Sequence, residues 1–410
     1  MEGMNYTDSS MWGLPNSIQQ VFAAVGMPPA DTMLPVNEPL SKKPRSEDAG
    51  TTSASESGTD EEERRRIDRE RNRQHARNTR ARKKAFVDEL QAQLTKVTEE
   101  KEAILNAEAA AKNRATQQQA AWITTLRKAM DLRSAGTVDP EAWKAVASED
   151  IKLILPITPY RSFNPTDVIS HRRVMLGLEG VVSDTSSLMV MCDLIGSKRR
   201  SKEGRVHIEY LLGTDADNCF FGSEGLMCTF MMRTTDAKEH GALCGVEQTG
   251  MLRVRFSETD GKIEELEMTF DAIAFYHQLM RANGVEEFPL VPNTLQTALK
   301  DEKHHIVVTT AQRPFRITHV NQAWTELCGF ELDECKGKNL SILQGPETDM
   351  GTVSGLCALN QQGFAASMIV TNYNKKGEKF RNHLKCYPVA SDMSGEISHI
   401  VGILDEVTDQ

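Results

Sequence analysis

Asp68-Arg69-Glu70-Arg71-Asn72-Arg73-Gln74-His75-Ala76-Arg77-Asn78-Thr79-Arg80-Ala81-Arg82-Lys83-Lys84 is the segment from which the rest of the chain can be read. Between Arg64 and Lys84 eleven Lys or Arg face two acids, a net of +9 in a 410-residue chain whose formal charge is −10. A basic block inside an acidic chain is a local electrostatic footprint that the whole-chain average hides. From Glu61 to Arg133 there is no Pro or Gly, and Ala, Glu, Lys, Gln and Arg dominate. Propensity and the lack of breakers predict one long helix, ended by Gly136 and Pro140. At 1.5 Å per residue it would run roughly 105 Å. That is too long for one globular core, so an extended or coiled-coil element is expected.

On such a helix Asn72, His75, Ala76, Thr79 and Arg80 fall at i, i+3, i+4, i+7 and i+8, one face. In a major groove Asn pairs with base edges in two places, Ala and Thr methyls touch thymine, and Arg takes guanine or phosphate. Arg69, Arg71, Arg73, Arg77, Arg82, Lys83 and Lys84 flank that face, placed for phosphates. The pattern resembles the basic-region leucine zipper (bZIP) signature, Asn followed after seven residues by Arg. His75 departs from it, since many members carry a second Ala there, and leaves the base preference open. The resemblance puts the first zipper d position at Leu90, with Val97, Ile104 and Ala111 following by sevens. Val87, Leu94, Lys101 and Glu108 are then the a positions. Two apolar heptads followed by polar a residues make a short, weak seam, with Lys101 biasing register or partner choice. The e and g positions leave homodimer and heterodimer equally open. Trp122, Leu126, Ala129 and Met130 mark a return of apolar packing downstream.

No apolar run approaches the roughly 18–20 residues that span a bilayer, and no secretory signal pattern opens the chain, so no membrane association is expected. Eight cysteines are scattered without a CxxC pair, which predicts reduced thiols in an intracellular protein. Residues 1–60 mix Pro, Ser, Thr and acids without periodicity and read as a disordered arm.

Residues 150–290 alternate apolar and polar positions over Val206–Leu212, Leu226–Met232, Met251–Phe256 and Ile263–Phe270, with turn signals between. Helices are expected over Asn164–Leu178 and Asp271–Asn283. The pattern resembles the cystatin-like α+β cone of SnoaL-type proteins. In enzymes of that fold an Asp and a His do acid–base work, for which His207, Asp271 and His277 would be the candidates here. Single residues of these types on strands are more often plain polar groups, and no enzymatic activity is expected. Lys198-Arg199-Arg200-Ser201-Lys202 reads as a solvated loop or a minor basic contact.

The last 110 residues carry Ile306-Val-Val-Thr-Thr, Asn321-Gln-Ala-Trp324, Gly337-Lys-Asn339-Leu340-Ser341-Ile-Leu343-Gln344-Gly345 and Asn372-Tyr373, with one helix near Asp349–Gln361. Residues 301–410 resemble a PAS domain, closest to the blue-light-sensing LOV subfamily. LOV photochemistry needs a thiol that adds to a flavin. In the family that Cys directly follows the Asn matched by Asn339, and here Leu340 stands in its place. The resemblance also sets Ser341 and Cys357 where the family has phosphate-binding Arg residues, and Leu404 where it has a ring-sensing Gln. Asn339, Gln344, Asn372 and Asn382 survive as a vestigial pocket. No cofactor is therefore expected, FMN included.

The expected fold is multidomain: a bZIP helix over 61–135, a cystatin-like α+β domain and a LOV-like PAS domain. That combination resembles the aureochromes and the light-insensitive bZIP–PAS transcription factors of diatoms. It implies a nuclear regulator that binds double-stranded DNA as a homodimer or heterodimer, at sites with an ACGT core. A flavin-binding light-responsive factor and a ligand sensor working through the middle domain are the alternatives.

Overall fold

The structure is a computed structural model that describes residues 58–199, 204–391 and 394–407. The expected arm over 1–60 thus lies almost wholly outside the described residues, as do Arg200 and Lys202. The chain divides into two units, residues 1–96 and 97–410. Helix α1 spans Gly58–Ser134, as the breaker-free composition predicts. In the first unit it is the one described element, and every side chain from 62 to 96 is exposed.

In the second unit α1 acquires a buried face. Trp122, Leu126, Ala129 and Met130, spaced 4, 7 and 8 apart, turn inward together. The Trp122 ring stacks on Phe256 at 5.2 Å. The helix stops where Gly136 takes φ +69, a left-handed conformation open to Gly, while the Thr137 amide closes on the Leu132 carbonyl at 3.0 Å.

After α1 come α2 (Pro140–Lys144), β1 (Ala147–Pro156), the pair β2 (Val168–Ile169) and β3 (Arg172–Leu176), and α3 (Gly177–Leu194). Then follow β4 (Ile208–Leu212), β5 (Cys219–Phe221), β6 (Gly225–Thr234), β7 (Glu247–Phe256), β8 (Ile263–Phe270) and α4 (Ala272–Asn283). The strands form one eight-stranded sheet, ordered β2-β3-β1-β8-β7-β6-β4 with β5 on β6. Its pairings are antiparallel except β1 with β8.

The helix expected over Asn164–Leu178 is not there. That stretch is a short 3-10 turn and the β2–β3 hairpin, and the helix starts only at Gly177. The reason is a pairing remote in sequence: β3 lies along β1, with Val174 opposite Ile154. The run Leu178–Leu194 has no clear apolar stripe because α3 is covered on nearly all sides, which removes the periodicity that marks a surface helix.

The chain continues with α5 (Leu295–Ala298), β9 (His305–Thr310), β10 (Ile317–Val320), α6 (Gln322–Cys328), α7 (Leu332–Cys335), a 3-10 turn (Leu340–Leu343) and α8 (Met350–Gln361). It ends in β11 (Ala366–Tyr373), β12 (Lys379–Ala390) and β13 (Ile397–Glu406). These strands make a second sheet, β10-β9-β13-β12-β11, wholly antiparallel. Helix α3 lies against both sheets. Val190 joins the apolar cluster of Val308, Tyr387 and Val389, and Ser186 donates to the Ala365 carbonyl.

Beneath α3 the Asp184 carboxylate is fully enclosed and meets three guanidinium groups. Arg133 lies at 2.5 Å, Arg161 at 2.6 Å and Arg173 at 2.8 Å. Burial alone would raise the Asp184 pKa, but the three cations hold it far below the carboxylate range. Burial also lowers Arg173 to about 10. All eight cysteines are free thiols. No described helix is long and apolar enough to cross a membrane.

Candidate functional site

Two places carry the residues singled out by sequence. The first is the N-terminal part of α1. Asn72, His75, Ala76, Thr79 and Arg80 are all exposed on the helix, as are Arg69, Arg71, Arg73, Arg77, Arg82, Lys83 and Lys84. The Thr79 hydroxyl donates back to the His75 carbonyl at 2.8 Å. Its hydroxyl is thereby engaged within the helix, and its methyl remains as the group to offer a partner. Further along, Val87, Leu90, Leu94, Val97 and Ile104 are large apolar side chains left in solvent, Leu94 at 69% exposure. Among the described residues nothing buries these side chains.

The second place is a cavity of about 350 Å³ between the curved face of the second sheet, α8 and the 3-10 turn at Leu340. Asn339, Gln344 and Asn372 line it, as do Leu340, Ser341, Cys357 and Leu404. Asn382 does not reach the wall. It is fully buried behind it and donates its amide to the Asn372 side chain, which in turn donates to the Leu343 carbonyl at 3.1 Å. The Asn339 side-chain oxygen Oδ1 caps the 3-10 turn by accepting from the Ser341 amide at 3.2 Å. The three asparagine side chains thus help to hold the wall.

Sequence reading did not anticipate Arg313, whose side chain reaches the cavity mouth and donates to Gln361 at 2.9 Å. Nor did it anticipate Cys386 and Asn360, which come from β12 and α8. No local motif marks these; only strand pairing and helix packing bring them in. Burial raises the Cys357 thiol and pushes Cys386 up to about 12, so both stay protonated and poorly nucleophilic. Cys328 and Cys335 sit in a separate apolar cluster between β9 and α6.

In the middle region His207, Asp271 and His277 are not assembled into an acid–base set. Asp271 caps α4, accepting from Ile273 and Ala274 at 3.0 and 2.9 Å. His277 is exposed on α4, and His207 binds Asp236 at 2.6 Å instead.

A family model described as PAS domain matches residues 304–409. This C-terminal segment is a PAS domain. It is LOV-like, homologous to those of blue-light photoreceptors. Over 92 residues, 22% of this chain, it is 37% identical to a blue-light-activated histidine kinase of Brucella anthropi. Over 110 residues, 27% of this chain, it is 31% identical to phototropin-2 of Oryza sativa subsp. japonica. The chain spans 18% and 12% of those two proteins. Among solved structures it is similar to the dark structure of the blue-light photoreceptor Aureochrome1 LOV, at 27% identity and TM-score 0.26, covering 30% of this chain and 88% of that one.

A flavin is the group this subfamily implies, and the lining of the PAS cavity does not fit it. The motif thiol position is occupied by the Leu340 side chain, so no sulfur stands there to form a bond with the ring. Arg313 is the one cation among the described lining residues, and it is already shared with Gln361. Leu404 brings no hydrogen-bonding side chain to the cavity wall. Leu, Met, Val and Ile supply 11 of the 23 lining residues.

Proposed function

We propose that this chain is a sequence-specific DNA-binding transcription regulator of the bZIP type that acts in the nucleus as a dimer. The observation that carries the reading is α1, where the +9 basic segment is fully solvent-facing and is followed by an apolar row that stays exposed among the described residues. An exposed row of that kind is stable in water when a second helix covers it. In this reading Asn72, Ala76, Thr79 and Arg80 read base edges, with His75 beside them, at sites with an ACGT core. The flanking Arg and Lys residues hold phosphates. The middle α+β region is read as cystatin-like on its sheet order and its single parallel pairing, and it serves dimerisation or regulation. The LOV-like PAS domain is a regulatory module that works without flavin photochemistry.

A second reading has an observation of its own. The apolar cavity of about 350 Å³ in the PAS domain has the size of a small-molecule site. There the domain senses a compact apolar ligand and passes the signal to the regulator.

The test is binding-site selection from random duplexes with the full chain, paired with sedimentation to give the mass of the complex. Enrichment of one palindromic site bound by two chains is expected. Recovery of random sequence would end the DNA-reading assignment.

A further inference from the structure

Beyond the helix and the PAS cavity, one cluster has ligand chemistry. We propose that His207, Asp236 and His240 form a binding site for a divalent transition metal, zinc by preference, at the edge of the eight-stranded sheet.

The backbone builds the site. β4 pairs with β6 so that Ile208 lies opposite Thr234. The residues just beyond each strand end therefore meet. The Thr235 amide donates to the His207 carbonyl at 3.0 Å, and the His207 amide donates to Asp236 Oδ1 at 2.8 Å. That second bond fixes the carboxylate and leaves Oδ2 turned to two imidazoles, His207 Nδ1 at 2.6 Å and His240 Nε2 at 3.3 Å. A helical turn brings His240 back over Asp236, its amide reaching the Asp236 and Ala237 carbonyls at 3.3 and 3.1 Å. All three donor atoms lie within 4.8 Å of one another.

His240 supplies the independent sign of a ligand. It is 1% exposed, yet neither ring nitrogen has a hydrogen-bond partner among the described residues. A buried imidazole whose Nδ1 meets nothing among the described residues, and whose Nε2 has only a carboxylate oxygen 3.3 Å away outside hydrogen-bond geometry, is costly. A metal ion on Nε2 removes that cost in the direction the ring already faces. Two imidazole nitrogens and one carboxylate oxygen are the donor set zinc takes, leaving a fourth position for water. Zinc–ligand bonds of about 2.0–2.1 Å give ligand separations near 3.3 Å in a tetrahedron. The separations here, 2.6 and 3.3 Å with the third below 4.8 Å, reach that arrangement by side-chain adjustment alone. Binding needs a lone pair on His207 Nδ1, so its ring proton moves to Nε2. The ion would pin the turn at 236–240 to the sheet edge.

The experiment uses the full chain stripped with a chelator, titrated with zinc by calorimetry and with cobalt followed by visible absorption. One zinc per chain, a tetrahedral cobalt spectrum and a zinc-dependent rise in melting temperature are expected. His207→Ala changes a side chain that is 76% exposed, and so leaves the core intact. It should weaken zinc by more than about tenfold, the loss that even outer partners of a ligand produce. Asp236→Asn should do the same, and His240→Gln should abolish binding. Absence of zinc binding to the parent chain, or unchanged affinity in His207→Ala, would overturn the proposal even if His240→Gln fails to fold.

Discussion

At the scale of single residues, the proposed DNA reading assigns different work to the two ends of the basic segment. Asn72→Ala is expected to lower affinity for the selected site by about 1–3 kcal/mol while sparing random duplex. Lys84→Ala should weaken all duplexes alike and lower the salt slope by about one. Equal losses on both kinds of duplex for both variants would contradict that division. Asp184 is the residue with most at stake in folding. Replacing it by Asn leaves Arg133, Arg161 and Arg173 buried without a counter-charge, at a cost of about 3–5 kcal/mol in urea unfolding. Its carboxyl is depressed in the folded chain. The stability it contributes is therefore complete at neutral pH and declines as pH falls below about 4, where the unfolded chain takes up the proton. The gap between parent and Asp184→Asn should narrow over that acidic range; a gap independent of pH would refute the sign.

At the scale of elements, the proposed zipper makes the apolar row on α1 a seam that weakens from Lys101 onward. Lys101 follows Val87, Leu90, Leu94 and Val97 in the heptad and is itself charged. A Lys at an a position specifies register at the expense of stability. Lys101→Leu is expected to tighten dimerisation by about tenfold, roughly 1.4 kcal/mol, in sedimentation equilibrium. Leu90→Glu should loosen it by at least as much. If neither shifts the equilibrium, the seam is not the dimer contact. The same helix uses another kind of packing further on, where Trp122 meets Phe256 rather than a second helix.

At the scale of the second unit, α3 ties the two sheets together. Its Val190 belongs to the apolar cluster of the PAS domain, and its Asp193 binds Arg205 at 2.9 Å and also accepts from Ser367 of β11. The middle region and the PAS domain should therefore unfold as one calorimetric transition. Val190→Asp places a charge against Tyr387 and Val389 and should split that transition in two. A parent chain that already melts in two steps would show that α3 does not couple them.

Local chemistry alone determined α1, α4 and the long strands. A breaker-free run, an Asp N-cap with Gly284 behind it, and the alternation along β7 each act through neighbours in the chain. The substitutions Leu340, Ser341, Cys357 and Leu404 were legible too, because they sit at fixed offsets within a recognisable pattern. The β2–β3 hairpin and the Asp184 cluster were not legible, and neither was the meeting of His207 with Asp236 and His240. Each depends on segments tens of residues apart that share no periodicity until β1 lies along β3 and β4 along β6. Asn382 shows the same boundary within one motif: its identity was readable, but only the fold turned it behind the wall. Spacing along a helix or strand is written in the chain. The partners of a buried charge are chosen by the packing that removes water from around it.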